Sequence, residues 1–350
     1  MMQIDAISTL VMSTLLKDGV RRSQSLLADA QKEFSTGRHA DMGLALGAGT
    51  GRDLLWRAKL DELRSLSDHN KLSGNRLDLV QSTLNSVRDV ANTFLQTLTG
   101  TRNAADGQVT ATLAASSALR SLTALLNTSY NGQALFGGIN TDVSPLAEYE
   151  VTPASTAQNA TATEFFAAFG LAQSDPGVVA ITGPDMQAFL DGQFDALFQP
   201  AQWQADWSSA SSSNMTVRID TGLTITAGSN ANLAAFRQMA EAFTMVLDLG
   251  TSQLNHNAFE AITDTAIKLA GEGILGVGFE QARLGIAESE ITTANERIGL
   301  RMTTITGGLG AMEDVDKYEA ALRVTSLQTQ LEASYTLTGR IGRLSILNYI

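Results

Sequence analysis

The sequence predicts a mainly α protein: a long antiparallel helical-bundle rod made by N- and C-terminal arms, with an inserted mixed α/β outer domain. Three observations predict it. All five prolines (Pro145, Pro153, Pro176, Pro184 and Pro200) fall in one central stretch. Proline costs about 3 kcal/mol inside a helix, so both flanks are free to be helical while the centre is not. No Lys or Arg occurs between Arg120 and Arg218, but nine acids do, so most of the net charge of −12 sits in that centre. Both flanks carry apolar residues three and four apart. That spacing lays one seam along a helix, which packs on a partner helix at a shallow angle.

Taken along the chain, a first stripe runs through Leu16, Val20, Leu27, Ala30 and Phe34. Gly47, Gly49 and Gly51 then mark a joint. Gly51-Arg-Asp53 reads as the start of a long helix, with Asp53 at the positive end of the helix dipole. Leu77, Val80, Leu84, Val87, Ala91, Phe94 and Leu98 continue it without a break. From about Arg52 to Leu98 such a helix is about 70 Å long, too long for an ordinary globule. Ala115, Leu119, Leu122 and Leu126 form a third stripe.

In the centre, Met215–Asp220 and Leu223–Thr226 alternate in strand fashion around Thr221-Gly222. Six of the thirteen phenylalanines lie between Phe165 and Phe198, which predicts a small core belonging to the insert. The glycine run Gly271–Gly278 reads as a hinge between helices. Leu284, Ala287, Ile291, Ala294, Ile298 and Ile305 are expected to pack on Leu77–Leu98. Gly307, Gly308 and Gly310 are expected to break the helix before a last stripe through Val324, Leu327, Leu331, Thr338 and Ile341. The expected division is 1–44 with 308–350, 45–140 with 231–307, and 141–230 as an acidic, surface-exposed insert.

Several function classes are disfavoured. The chain has no cysteine, which removes disulfides and thiolate chemistry. Its acidity argues against sequence-independent nucleic-acid binding, which needs cations to displace phosphate counterions. Met1–Leu16 has no basic start and no continuous apolar core, and no stretch reaches 18 unbroken apolar residues. No membrane partner is therefore expected, and any export uses no cleaved signal. His39, His69 and His256 lack metal-ligand spacing. The Gly271–Gly278 run lacks the Lys-Ser/Thr ending of a phosphate loop. Asp185, Asp191 and Asp195 read as a solvated acidic surface. No catalytic, cofactor or metal site is expected, and the chain does not read as an enzyme. Short helices beyond glycine joints bury little by themselves. Leu16, Val20, Leu27, Phe34, Val324, Leu327, Leu331 and Ile341 are accordingly expected to form an assembly seam sheltered mainly by neighbouring copies.

Certain motifs are specific. Glu33-Phe-Ser-Thr-Gly-Arg38, through Ser35, Thr36 and Gly37, resembles the STG signature that closes the N-terminal helix in the bacterial flagellin family. Asn131-Gly-Gln-Ala-Leu-Phe-Gly-Gly-Ile-Asn-Thr-Asp142, through Asn131, Gly132, Leu135, Phe136 and Gly138, resembles the segment that leaves the family's helical part for its outer domain. Glu313-Asp-Val-Asp316 resembles the E-x-x-D stretch opening the C-terminal helix, through Glu313 and Asp316. The Leu135-Phe-Gly-Gly138 segment and the ending, Leu331-Glu-Ala-Ser-Tyr335 to Leu344–Ile350, are more similar to the family's hook-filament junction branch than to its filament subunits. Ala40-Asp-Met-Gly43 departs from the Asp-Asp-Pro or Asp-Asp-Ala turn that members often carry.

The resemblance implies a flagellar subunit exported unfolded through the type III apparatus without signal cleavage. Its implied partners are neighbouring copies of itself, the preceding hook-associated protein, flagellin and an export chaperone. Two further readings stay open: a flagellin filament subunit, and a cell-surface adhesin or ligand-binding protein acting through the insert.

Overall fold

The computed structural model describes residues 9–102, 104 and 107–343. The protein is mainly α, with two small two-stranded sheets among the described residues. In chain order the elements are α1 (Thr9–Thr36), α2 (Met42–Leu46), α3 (Thr50–Thr101), α4 (Gly107–Leu126), β1 (Ser129–Tyr130), β2 (Gln133–Ala134), α5 (Thr156–Phe169), α6 (Gly183–Phe189), α7 (Pro200–Asp206), β3 (Thr216–Asp220), β4 (Leu223–Thr226), α8 (Ala234–Asp248), α9 (His256–Glu313) and α10 (Lys317–Arg343). The chain forms two compact units, residues 1–65 with 298–350 and residues 66–297.

In the larger unit α3 and α9 run antiparallel. Asn70 donates to Asn295 at 3.0 Å, Arg88 to the Gln281 side chain at 3.1 Å, and Arg102 to Glu260 and Asp264 at 2.5 and 2.8 Å. The α3 seam from Leu77 to Leu98 is fully buried, as are Leu284, Ala287, Ile291 and Ala294 of α9. The expected pairing of these two stripes holds only at their Leu77 and Leu284 ends, because the antiparallel register that joins Asn70 to Asn295 and Arg102 to Glu260 sets Ala266, Ala270 and Val277 opposite the rest of the α3 seam. α4 packs against α8. By length and composition α4 is apolar enough to cross a membrane, but Ala111, Ala115, Ala118, Leu119, Leu122 and Leu126 are buried in the protein core.

The Gly271–Gly278 run is not a hinge, because α9 passes through it unbroken. A Cβ on Gly273 would stand 2.6 Å from Met239 Cγ, and one on Gly276 would stand 2.8 Å from Ala235 Cβ. These glycines exist so that α8 can lie close on α9.

The insert has no separate core. Phe165, Phe189, Phe194, Phe198, Trp203 and Trp207 form a chain of ring contacts that ends on Tyr149. This chain belongs to the same buried cluster as the α3, α8 and α9 seams. Pro184 and Pro200 sit in the first turns of α6 and α7, where their missing N–H groups cost nothing. The β3–β4 hairpin is held to the long helices by Asn70, which donates to Ile219 O at 2.9 Å, and by Arg297, which pairs with buried Asp220 at 3.2 Å.

In the smaller unit α1 and α10 pair antiparallel, with Arg323 on Glu33 at 3.0 Å and Gln24 on Tyr335 at 2.7 Å. The terminal helices therefore shelter part of their own seam within the molecule. Gly307, Gly308 and Gly310 do not break α9, which ends only at Glu313. Gly308 lies under the Trp56 ring, where a Cβ would meet ring carbons at 2.1 and 2.6 Å. The interruption falls at Asp314–Asp316, and Asp316 caps α10 by accepting from the Tyr318 N–H at 2.8 Å.

Candidate assembly surfaces

Two of the sequence motifs, far apart in the chain, converge in the smaller unit. Gly37 closes α1 in the left-handed conformation at φ +73°, which suits glycine, and Lys317 Cε covers it. The chain then pairs with the end of α9. His39 N–H donates to Glu313 O at 3.0 Å and Val315 N–H donates to Gly37 O at 2.9 Å, so the backbones of Arg38 and Asp314 pair antiparallel as a single β-bridge. Ser35 and Thr36 bond back to Lys32 O.

The centre of this knot is Glu313. It is buried, and it is gripped by Arg57 at 2.5 Å and Arg38 at 3.2 Å. Asp53, also buried, takes Arg57 Nε on Oδ2 at 3.0 Å, while its Oδ1 has no donor. Burial, followed by the close approach of the Asp53 carboxyl, raises the Glu313 carboxyl above its ordinary range against the pull of Arg57 and Arg38. Asp53 reads from sequence only as a dipole-end acid, since nothing local links it to a residue so distant in the chain.

The seam residues divide. Leu331 is buried, and Leu16, Val20, Leu27, Val324 and Leu327 are half-buried. Phe34 stays 49% exposed, because the buried line of α1 runs through Ala30 and Glu33 instead. Exposed beside it are Leu15, Leu26, Tyr318, Leu322 and Tyr335. Ile341 lies in α10, but its side chain is outside the described residues, as are residues 344–350 altogether.

In the larger unit the other motif forms a second knot. Asn131 (φ +51°) and Gly132 (φ +78°) make the two-residue turn between β1 and β2, a turn that needs positive φ at both positions. Leu135 and Phe136 plunge into the core, where Phe136 meets Phe236 edge-on at 5.8 Å. Gly138 (φ +63°) would place a Cβ 2.3 Å from Ser211 O. Ala231 N–H donates to Phe136 O at 2.8 Å, so the departing and returning strands of the insert are tied together here. Phe136→Ala is expected to lower stability by about 3–5 kcal/mol, read as a fall in the urea midpoint.

The residues weighed for chemistry are structurally occupied. Asp185 accepts from Thr182, Asp191 from Gln187 and Asp195 from Gln199. The first belongs to the N-cap of α6, and the other two are i, i+4 amide–carboxylate bonds that hold these carboxylates without cations. His69 and His256 are exposed, and His39 stands 3.8 Å from Glu33. Among the described residues no group of three His, Cys, Asp or Glu is arranged to hold a metal ion.

The fold and these surfaces describe a structural protein, built of helices for contact with other helices. Residues 7–141 match the family model described as the bacterial flagellin N-terminal helical region, and residues 267–350 match the bacterial flagellin C-terminal helical region. Together these matches span well over half of the chain, which belongs to the bacterial flagellin family. Like the family it is a structural, non-enzymatic flagellar component that assembles with other flagellar proteins. A solved chain from Vibrio parahaemolyticus, provisionally described as a flagellar hook-associated protein, shares the fold. Its TM-score is 0.52 at 10% identity, over 76% of this chain and 97% of that one. No curated protein sequence matches.

Proposed function

We propose that this chain is a hook-filament junction subunit of the hook-associated protein 3 type, which joins the hook side to the filament and templates flagellin assembly. The observation that carries the reading is the junction-like pair of segments, Leu135–Gly138 and the ending from Leu331. The similarity in fold to a chain described as hook-associated supports it. On this reading the chain leaves the cell unfolded through the type III apparatus, escorted by a chaperone and without signal cleavage. It then sits between the preceding hook-associated protein and flagellin. Residues 1–44 and 308–350 supply the assembly helices through Leu16, Val20, Leu27, Phe34, Val324, Leu327, Leu331 and Ile341. Residues 45–140 with 231–307 form the helical body, and 141–230 face solvent.

A deletion strain tests the proposal. The expected phenotype is intact hooks, no filaments and flagellin monomer in the medium. Filaments that persist on the deletion strain overturn the junction role. Purified chain that grows into long filaments by itself favours the filament-subunit reading instead.

A further inference from the structure

α9 carries two seams in the larger unit. The buried one runs through Gly273, Val277, Glu280, Leu284 and Ala287. Half a turn round the helix, at the same three-and-four spacing, lie Leu275, Phe279, Ala282 and Ile286. The three large residues are 66%, 76% and 63% exposed. The outward face of a solvated helix is ordinarily polar, and a heptad-spaced apolar line is the pattern that fits another helix. Together the three large side chains present roughly 350 Å² of apolar surface, within the range that marks interaction sites.

The same unit offers a complementary surface. Between α3 and α4 lies an open groove of about 290 Å³, walled by Val90, Thr93, Thr97, Ala114, Ser117 and Ser121 over the buried Phe94. Small side chains leave room there for large ones. Charge sets the pairing. Asp89 stands at one end of the groove, and Lys268 lies on the exposed α9 line seven residues before Leu275. Neither forms an ion pair among the described residues. From Lys268 to Phe279 is about 16 Å along the helix and from Asp89 to Thr97 about 12 Å, a difference that a lysine side chain spans.

We propose that the exposed α9 seam of one copy docks in the α3–α4 groove of a second copy of this chain. This rests on the chain's assembly with copies of itself. The two faces differ, so the contact is heterologous and passes from copy to copy instead of closing as a twofold pair. The patch is smaller than a self-sufficient interface, so it sets the lateral register of copies already gathered by their terminal helices.

The cysteine-free chain suits disulfide trapping. Full-length F279C and T97C proteins, mixed at high concentration and oxidised, are expected to form the mixed dimer roughly tenfold more than either forms its own, since a disulfide needs Cα atoms within about 7 Å. Adding K268E is expected to reduce that yield, and pairing K268E with D89K to restore it. Dominant F279C self-dimers mean that seams pack on seams, and they overturn the proposal. So does the absence of any mixed dimer. A mixed dimer, together with filaments that persist in the deletion strain, sinks the junction role and leaves this surface standing.

Discussion

Replacing Glu241 by glutamine is expected to stabilise the protein, most of all in alkaline buffer. Glu241 is buried on α8 at 4% exposure. Desolvation raises its carboxyl from 4.5 to about 8. Asp195 and Asp191 from the segment between α6 and α7, and Glu272 from α9, add to the rise, opposed by Arg237 on its own helix. The sign follows from linkage. Below about 4.5 the group is protonated whether folded or unfolded and contributes nothing. Between 4.5 and 8 the unfolded chain ionises while the folded one resists, so stability falls as pH rises. Above 8 the full cost persists.

Glutamine removes the charge but leaves a buried amide, so the net gain is about 2–3 kcal/mol at pH 9 and near zero at pH 4. Thermal melts across that range check it. The wild type should lose several degrees more than E241Q between the two ends. Asp248, raised from 3.8 to about 6 chiefly by burial, adds a smaller loss of the same sign, confined to that narrower pH window, to both proteins. Parallel pH profiles for the two proteins would refute the assignment.

Gly308→Leu is expected to be the most damaging single change in the smaller unit. A Cβ alone would overlap the Trp56 ring at 2.1 Å. The indole is further engaged by Arg52, whose guanidinium lies 5.7 Å from the ring centroid. Even alanine costs about 1–3 kcal/mol by overpacking, and leucine more. Gly307, one residue away, provides the control, since a Cβ there meets nothing within 4 Å. Gly307→Ala should raise stability by up to about 1 kcal/mol through helix propensity alone. Amide exchange in α9 near residue 308 separates the two. If both variants melt alike, the Trp56 seat is not what requires the glycine.

These two sites show where sequence reading stops. The seam from Leu77 to Leu98 and the stripe from Leu284 to Ala294 are legible because burial repeats every three to four residues along one helix, but their register is not: the contacts of Asn70 with Asn295 and of Arg102 with Glu260 set an earlier part of α9 opposite most of the α3 seam. The Asn131-Gly132 turn is legible because two positive-φ positions admit few residue types. A helical glycine carries no such signal. Gly47 does lie at a joint, with φ +50°, whereas Gly273, Gly276 and Gly308 are seats for residues of other helices. Composition cannot tell a breaker from a point of close approach, since both need only the absence of a side chain. The insert misleads for a related reason. Its aromatics cluster in sequence, but they belong to the same buried cluster as α8 and the long helices, so removing the insert would open the shared core.

What the sequence by itself determined was local: which stretches are helical, which face of each is apolar, where proline forbids helix, and which motifs mark the flagellin family. Local backbone preference and periodic burial act within a few residues and are written there. The tertiary structure alone decided which faces meet. It brought Asp53 to Glu313, turned Phe34 outward while Glu33 turned inward, buried Glu241 among other acids, and left the second α9 seam uncovered. Those outcomes depend on contacts between distant segments, whose energies no local pattern records.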